Sequence, residues 1–272
     1  MKKQIILNIS LILCLLMGYS SLAKAQKVKN DPPPPTLNQL WHTREHFVYS
    51  VKYSFFHLGN ITLDVMPDTL YDGKERRYVR VTMKSNSGLP FIGNELDIFS
   101  SIIARNDTMM YDLYYWKDDI DKGVKKEVQY TLDYNKHKVY VYNKDKDNKG
   151  KRRDTLSLSQ PSFCGMAFFF YPRLFAGTNH FIKVPVYVSQ KKSYITMKNI
   201  PKEEMIDSDA FPDGHVMTYK STGTAYFDGP LGFNGDYTAW YAAGPMRIPV
   251  QAYVRVWLGN VKIRLKKYSI IK

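Results

Sequence analysis

From Phe47 onward the sequence alternates at period two, and nothing else in it constrains the fold as strongly. A side chain returning to the same face every second residue is the geometry of a strand with one face buried. FVYSVKYSFF is the first such run, and His57-Leu58-Gly59-Asn60 bends the chain into a second, ITLDV. RRYVRVTMK, LDIFSSIIA, TMMYDLYYW, KKEVQYTLDY and KVYVYN follow. The runs recur at intervals of about ten to fifteen residues, set off by turn signals such as Asp72-Gly73, Asn106-Asp107 and Asn135-Lys136. HFIKVPVYV, SYITMKNI, HVMTYKST, TAYFDG and the stretch from Trp240 to Tyr268 continue the series. Short strands rich in β-branched and aromatic residues predict a mainly β fold. The expected architecture is a curved antiparallel sheet, a half-barrel or an open barrel or sandwich, with one short buried helix.

That helix is expected where the rhythm breaks. Ser159-Gln160-Pro161-Ser162 reads as a helix start with Pro161 near the first helical position. FCGMAFFFYPRLF follows, apolar on every side until Pro172 ends it. A helix that is apolar all round is buried. Phe163, Met166, Phe168, Phe169 and Phe170 are therefore expected as a hydrophobic plug against the sheet, with an aromatic lining for a greasy ligand as the functional alternative. Cys164 within it reads as a buried, inert thiol.

The N-terminus bears on compartment. Lys2 and Lys3, the apolar Ile5 to Met17 and Ala23-Lys24-Ala25 have the form of a cleavable signal peptide, residues 1–25, cut after Ala25. The apolar run falls short of the about 18 residues that a spanning helix needs. Leu13 is bulky where a lipoprotein signal needs a small residue before its cysteine, which argues against lipidation at Cys14. Residues 26–36 read as a Pro-rich linker, since KVKNDPPPP is extended and semi-rigid. Residues 37–272 then form a single β domain, opening with a helical turn or two between Leu37 and His46. Of two cysteines only Cys164 would remain, so the core and not a disulfide must hold an exported chain. The expected location is periplasmic or secreted, with no transmembrane segment after signal cleavage.

A net charge of +14, part of which leaves with the leader, attracts anionic surfaces. Outside the cytoplasm nucleic acid is scarce, so the expected partners are an anionic lipid or polysaccharide, or another envelope protein. NKDKDNKGKRRD, Asn143 to Asp154, reads as a charged loop between two β regions.

Constellations that carry chemistry are absent or incomplete. Asp145, Asp147 and Gly150 imitate a calcium loop, as do Asp119, Asp121 and Gly123. Leu156 and Tyr130 stand where the last carboxylate ligand belongs, and lysines crowd both. Six histidines are scattered, and His42 and His46, four apart, lack an acidic third ligand at a familiar distance. No nucleophile elbow, Gly-rich phosphate loop or paired acid signature is present. The expectation is a non-enzymatic protein without cofactor or metal.

The C-terminal hairpin offers a candidate binding face. Gly259-Asn260 reads as a two-residue turn of type II′. That register pairs Val256 with Ile263 and Val254 with Leu265 on an apolar inner face. Outside, it pairs Trp257 with Lys262, Arg255 with Arg264 and Tyr253 with Lys266. Like charges directly opposite destabilise a sheet, so the arginines need water or an anion between them. Tyr253, Arg255, Trp257, Lys262, Arg264 and Lys266 are the candidate binding residues for an anionic headgroup or polysaccharide.

FVYSVKYSFFHLGNITLDV, DLYYWKDDIDKGVKKEVQYTLDY and AWYAAGPMRIPVQAYVRVWLGNVKIRL carry a resemblance to the exported bacterial family catalogued as domain of unknown function 3108. It covers about Glu45 to Tyr268, and its most specific part is the tail, with Trp240, Arg247-Ile-Pro249-Val250 and Leu258-Gly259. The turn before the Pro-Val pair commonly carries an acid in that family, where this chain has Gly244-Pro245-Met246. The resemblance implies a periplasmic, mostly antiparallel β protein without an assigned reaction, similar in style to the half-barrels of lipoprotein carriers. Binding of an amphiphilic or anionic envelope component is the leading expectation. A structural or assembly role beside another envelope protein is the alternative.

Overall fold

A computed structural model describes residues 31–89, 95–120, 123–144, 151–229, 233–256 and 259–271. The expected signal peptide, the calcium-like positions Asp121, Asp145, Asp147 and Gly150, and Trp257 of the candidate row lie outside these residues.

The described chain opens on helix α1, Leu37–His42, whose N-cap Thr36 accepts from the backbone N–H of Gln39 while the Gln39 side chain accepts from that of Thr36. This reciprocal cap is what lets so short a helix form. The strands are β1 (Arg44–Tyr53), β2 (Phe56–Val65), β3 (Thr69–Tyr71), β4 (Lys74–Ser85), β5 (Leu96–Arg105), β6 (Met110–Asp119), β7 (Val124–Asp133), β8 (Lys138–Lys144) and β9 (Lys151–Ser157). After helix α2, Ala167–Phe170, and a 3-10 turn, Tyr171–Leu174, come β10 (Phe181–Val188), β11 (Lys191–Asp207), β12 (His215–Ala225), β13 (Gly235–Ala242), β14 (Pro249–Val256) and β15 (Gly259–Ile271).

All neighbouring strands pair antiparallel in one large open sheet, ordered β10-β11-β12-β13-β14-β15-β1-β2-β4-β5-β6-β7-β8-β9, with β3 paired only to β4. The expected curved antiparallel β fold is therefore the one that forms. Two meanders meet where β15 pairs with β1, and the sheet wraps so that its far ends approach each other. Tyr187 of β10 donates its hydroxyl to the Ser157 carbonyl of β9 at 2.5 Å, and the Gln190 N–H donates to Tyr130 Oη of β7 at 2.9 Å. Strand prolines sit only where a missing N–H is tolerated: Pro185 on the edge strand β10, Pro201 at the irregularity between Asn199 and Glu203, and Pro249 at the start of β14.

Several sequence expectations are corrected. The first hairpin turns at Ser54-Phe55, with Tyr53 paired to Phe56, so β2 begins before the glycine expected to mark the bend. Gly59 lies inside the strand because the neighbouring backbone passes it: a Cβ there would stand 2.3 Å from the Lys84 carbonyl oxygen. TAYFDG is no strand of its own, since β12 ends at Ala225. The charged loop is shorter than expected, because its Lys151–Asp154 end belongs to β9.

The Pro-rich segment is no free linker from Asp31 on. Arg247 binds Asp31 with two nitrogens, at 2.9 and 2.7 Å, and also donates to the Pro32 carbonyl at 2.7 Å. The compact unit accordingly starts at Asp31.

The plug is only partly buried and mostly not helical: Phe163 and Phe170 are buried, whereas Met166, Phe168 and Phe169 are half-buried. Pro161 starts no helix, and α2 spans only Ala167–Phe170. Phe163 instead bridges β10: its N–H donates to the Pro185 carbonyl at 3.1 Å and its own carbonyl accepts from Tyr187 N–H at 2.7 Å. This short stretch fills a place beside an edge strand, which is why backbone pairing wins over helix there. Pro172 does not end the helical segment but sits near the start of the 3-10 turn.

Candidate functional site

Alternation on four adjacent strands builds a cleft of 740 Å³. β4 contributes Val81 and Met83, β5 Asp97 and Phe99, β6 Tyr115 and Lys117, and β7 Val128 and Tyr130. Each pair is two residues apart, so all eight side chains share the concave face. The register aligns Val81, Phe99, Lys117 and Val128 in one row across the sheet. The plug forms the floor through Phe163, Cys164, Met166 and Phe168, and Val186 and Ile195 on β10 and β11 form the opposite wall.

Polarity changes along the cleft. Phe99, Tyr130 and Phe163 are buried, whereas Asp97, Lys117 and Met83 are half-buried and Glu95 is exposed. The deeper lining is thus aromatic and buried, and polar groups gather at the exposed margins, Glu95, Asp97 and Lys117 on one side and Ser189, Gln190 and Asp228 on the other. At the first of these margins Lys117 Nζ lies 3.1 Å from Asp97 and 3.2 Å from Glu127. Burial works against its charge, but the two carboxylates hold its pKa above the ordinary lysine value. Burial pushes the Asp97 carboxyl up against the pull of Lys117, and Asp119 and Glu95 push the same way.

Asp112 fixes the floor. Its carboxylate accepts from the backbone N–H groups of Cys164 at 3.0 Å, Gly165 at 2.9 Å and Ala167 at 3.4 Å, while Ser101 Oγ accepts from Met166 N–H at 3.0 Å. A carboxylate from one strand and a hydroxyl from its neighbour thus cap the plug from outside its own chain segment, as an N-cap residue would within it. Gly165 is required here, since a Cβ would stand 2.1 Å from Ser101 Oγ and 2.6 Å from the Tyr115 ring. Burial raises the Asp112 carboxyl to about 6, with those N–H groups and the Ser101 hydroxyl pulling the other way. Burial also pushes the Cys164 thiol well up, and Asp112 adds to it, so the thiol on the floor stays protonated.

A second anchor holds the far end of the plug. Arg173, in the 3-10 turn, makes a bidentate ion pair with Glu45 of β1 at 2.7 and 2.8 Å, both side chains fully buried. The Met246 carbonyl accepts from Arg173 Nε, and the Tyr268 hydroxyl donates to Glu45, so the pair is surrounded by partners.

The candidate basic row lies elsewhere, and its pairing differs from expectation. β14 and β15 pair Val256 with Gly259, Arg255 with Asn260, Tyr253 with Lys262 and Gln251 with Arg264. Gly259 therefore opens β15 and is no turn residue. Its positive φ of 114° brings the backbone against the Tyr53 ring, 3.3 Å from where a Cβ would stand. Arg255 and Arg264 do not face each other, and no anion is needed between them. The displacement is two residues on each strand, so the faces survive: Tyr253, Arg255 and Lys266 are exposed, and Val261 and Leu265 buried. The structure brings Tyr253 and Lys262 together, the ammonium 5.5 Å from the ring centre, and ties Lys266 to Asp209. None of the row's described residues lines the cleft.

Of the plug residues, Phe163, Met166 and Phe168 reach the cleft, while Phe169 and Phe170 pack away from it. His42 turns back to the Asn38 carbonyl, and His46 pairs with Asp64 at 2.6 Å. Among the described residues no group of three His, Cys, Asp or Glu side chains is placed to hold a metal. Nor is any helix among them long and apolar enough to cross a membrane.

The sequence pattern of a family described as "Protein of unknown function (DUF3108)" matches residues 48–266. No curated protein matches the chain significantly. Among solved structures, a β-barrel-like protein of domain of unknown function DUF1849 from Brucella abortus is similar at a TM-score of 0.51 and 8% identity, over 85% of this chain and 98% of that one. A protein with a YmcC-like fold from Bacteroides fragilis is similar at a TM-score of 0.38 and 10% identity, over 86% of this chain and 97% of that one. The first likeness is one of fold.

Proposed function

The chain belongs to the DUF3108 family of proteins of unknown function, and from that premise we propose that it is a non-enzymatic binding protein that takes the apolar part of an amphiphile into the cleft above the plug. The observation that carries this is the cleft itself: 740 Å³, with a buried aromatic lining and polar groups at its exposed margins. A cavity of that size falls within the range of small-molecule sites, about 300–1,000 Å³, and has their usual composition of apolar walls with a few polar groups. The leader-like N-terminus adds that the amphiphile is a component of the cell envelope met after export. The reading as a binding protein and not an enzyme is supported by two groups at the floor: burial and Asp112 push the Cys164 thiol up, away from the nucleophilic thiolate, and the Asp112 carboxylate is engaged by backbone N–H groups.

Native mass spectrometry of the protein purified from its own host, followed by extraction, tests this. The expected result is an adduct of one amphiphile per chain, absent from a Val128→Trp variant that fills the half-buried row at the cleft wall. An adduct unchanged in that folded variant would place the amphiphile elsewhere and overturn the reading.

A further inference from the structure

The mouth of the cleft runs against the charge of the molecule. The chain carries 39 Lys and Arg against 25 Asp and Glu, yet three carboxylates and one ammonium line the cleft among the described residues: Glu95, Asp97, Asp228 and Lys117. That ammonium is already held by Asp97 and by Glu127. Behind them Asp97 stands directly across the ladder from Asp119. Asp119 adds negative charge on that side, which pushes the Asp97 carboxyl up.

Resting on the reading of the cleft as an amphiphile site, we propose that the polar end of its ligand carries an amine, seated at the mouth between Glu95 and Asp97. A cation there meets the net negative charge of a half-desolvated site, where charge pairs count for more than in bulk water. An anionic headgroup would have to approach the same carboxylates, and the Lys117 ammonium is already engaged by Asp97 and Glu127. The apolar tail lies inward, along Phe99 and Met166. Affinity comes from burying the tail, and the choice among amphiphiles comes from the charge at the mouth.

Three probes with the same chain, decylamine, decanoate and decyl maltoside, each below its micelle concentration, separate the two claims by titration calorimetry at low salt. The amine is expected to bind about tenfold more tightly than the carboxylate. Glu95→Gln with Asp97→Asn should narrow that gap, as should added salt. Because Asp97 partners Lys117, Glu95→Gln alone carries the test if the double variant does not fold. Equal affinities for all three, or tighter binding of decanoate, would overturn the amine inference and leave the apolar cleft standing. No binding of any probe, or binding indifferent to Val128→Trp, would overturn the cleft reading and the inference with it.

Discussion

Asp112 is a carboxylate that the fold keeps out of water and surrounds with N–H donors. A local irregularity puts it there. Ile102 pairs with Tyr114 and Ile103 with Asp112, so Leu113 is the extra residue of a bulge. Asp112 and Tyr115, three apart, therefore both face inward, where strict alternation would put them on opposite faces. With its carboxyl raised to about 6 in the fold, the group titrates later than in the unfolded chain. Its contribution is fully favourable below the ordinary carboxylate range and is lost as pH rises through about 4 to 6. A pKa raised over that interval corresponds to about 3 kcal/mol. Asp112→Asn removes the titration, so the stability of the parent relative to this variant is expected to fall by about that amount between pH 4 and pH 7. Urea unfolding of both proteins across that range measures it. A difference that stayed flat would mean the N–H groups already balance the burial.

At the scale of elements, the plug is a strap fixed at both ends, by Asp112 and Ser101 at its start and by Glu45 on Arg173 at its finish. Its aromatic residues divide by position. Phe170 is fully buried, while Phe169 is partly exposed and touches Phe47 edge-on at 5.0 Å. Phe170→Ala is expected to cost about 3–5 kcal/mol through the cavity it leaves, and Phe169→Ala less. Thermal melts of the two variants give the order, and the reverse order would mean that α2 faces the other way. The apolar run FCGMAFFF announced an interior segment in the sequence because no exposed surface needs so many phenylalanines. Its bridge to β10 could not be read there, since only a strand 22 residues further on supplies the hydrogen-bonding edge. Most strand positions were legible from alternation, and so were the faces of β14 and β15; β3 and the charged β9 were not, since neither alternates clearly. Their register was not: a glycine suits a turn and a tight packing contact equally well, and Gly259 serves Tyr53. The cleft was hidden for a similar reason, because its walls come from distant parts of the chain.

For the whole molecule, the seam between β15 and β1 decides whether two meanders behave as one body. It pairs Arg44 with Ile271, Glu45 with Ile270, His46 with Ser269, Phe47 with Tyr268 and Val48 with Lys267. Phe47 is fully buried, its ring 5.0 Å from that of Tyr268, and the Tyr268 hydroxyl supports the Glu45 that anchors the plug. Ending the chain at Lys266 removes the partners of those five residues, uncovers Phe47 and exposes one side of a buried ion pair. The half-buried Tyr268 ring covers the buried Phe47, and its loss together with five backbone pairings is expected to cost about 3 kcal/mol or more. How the loss is distributed is more telling than its size. The plug connects to β1 through Arg173, to β6 through Asp112 and to β10 through Phe163, so weakening the seam loosens the support of both meanders together. Hydrogen exchange in the shortened chain is therefore expected to quicken in β8 and in β12 alike, within one cooperative unfolding transition. Faster exchange confined to β12 through β15, with β8 as protected as in the parent, would mean that the first meander holds its fold without the seam and that the plug does not couple the two.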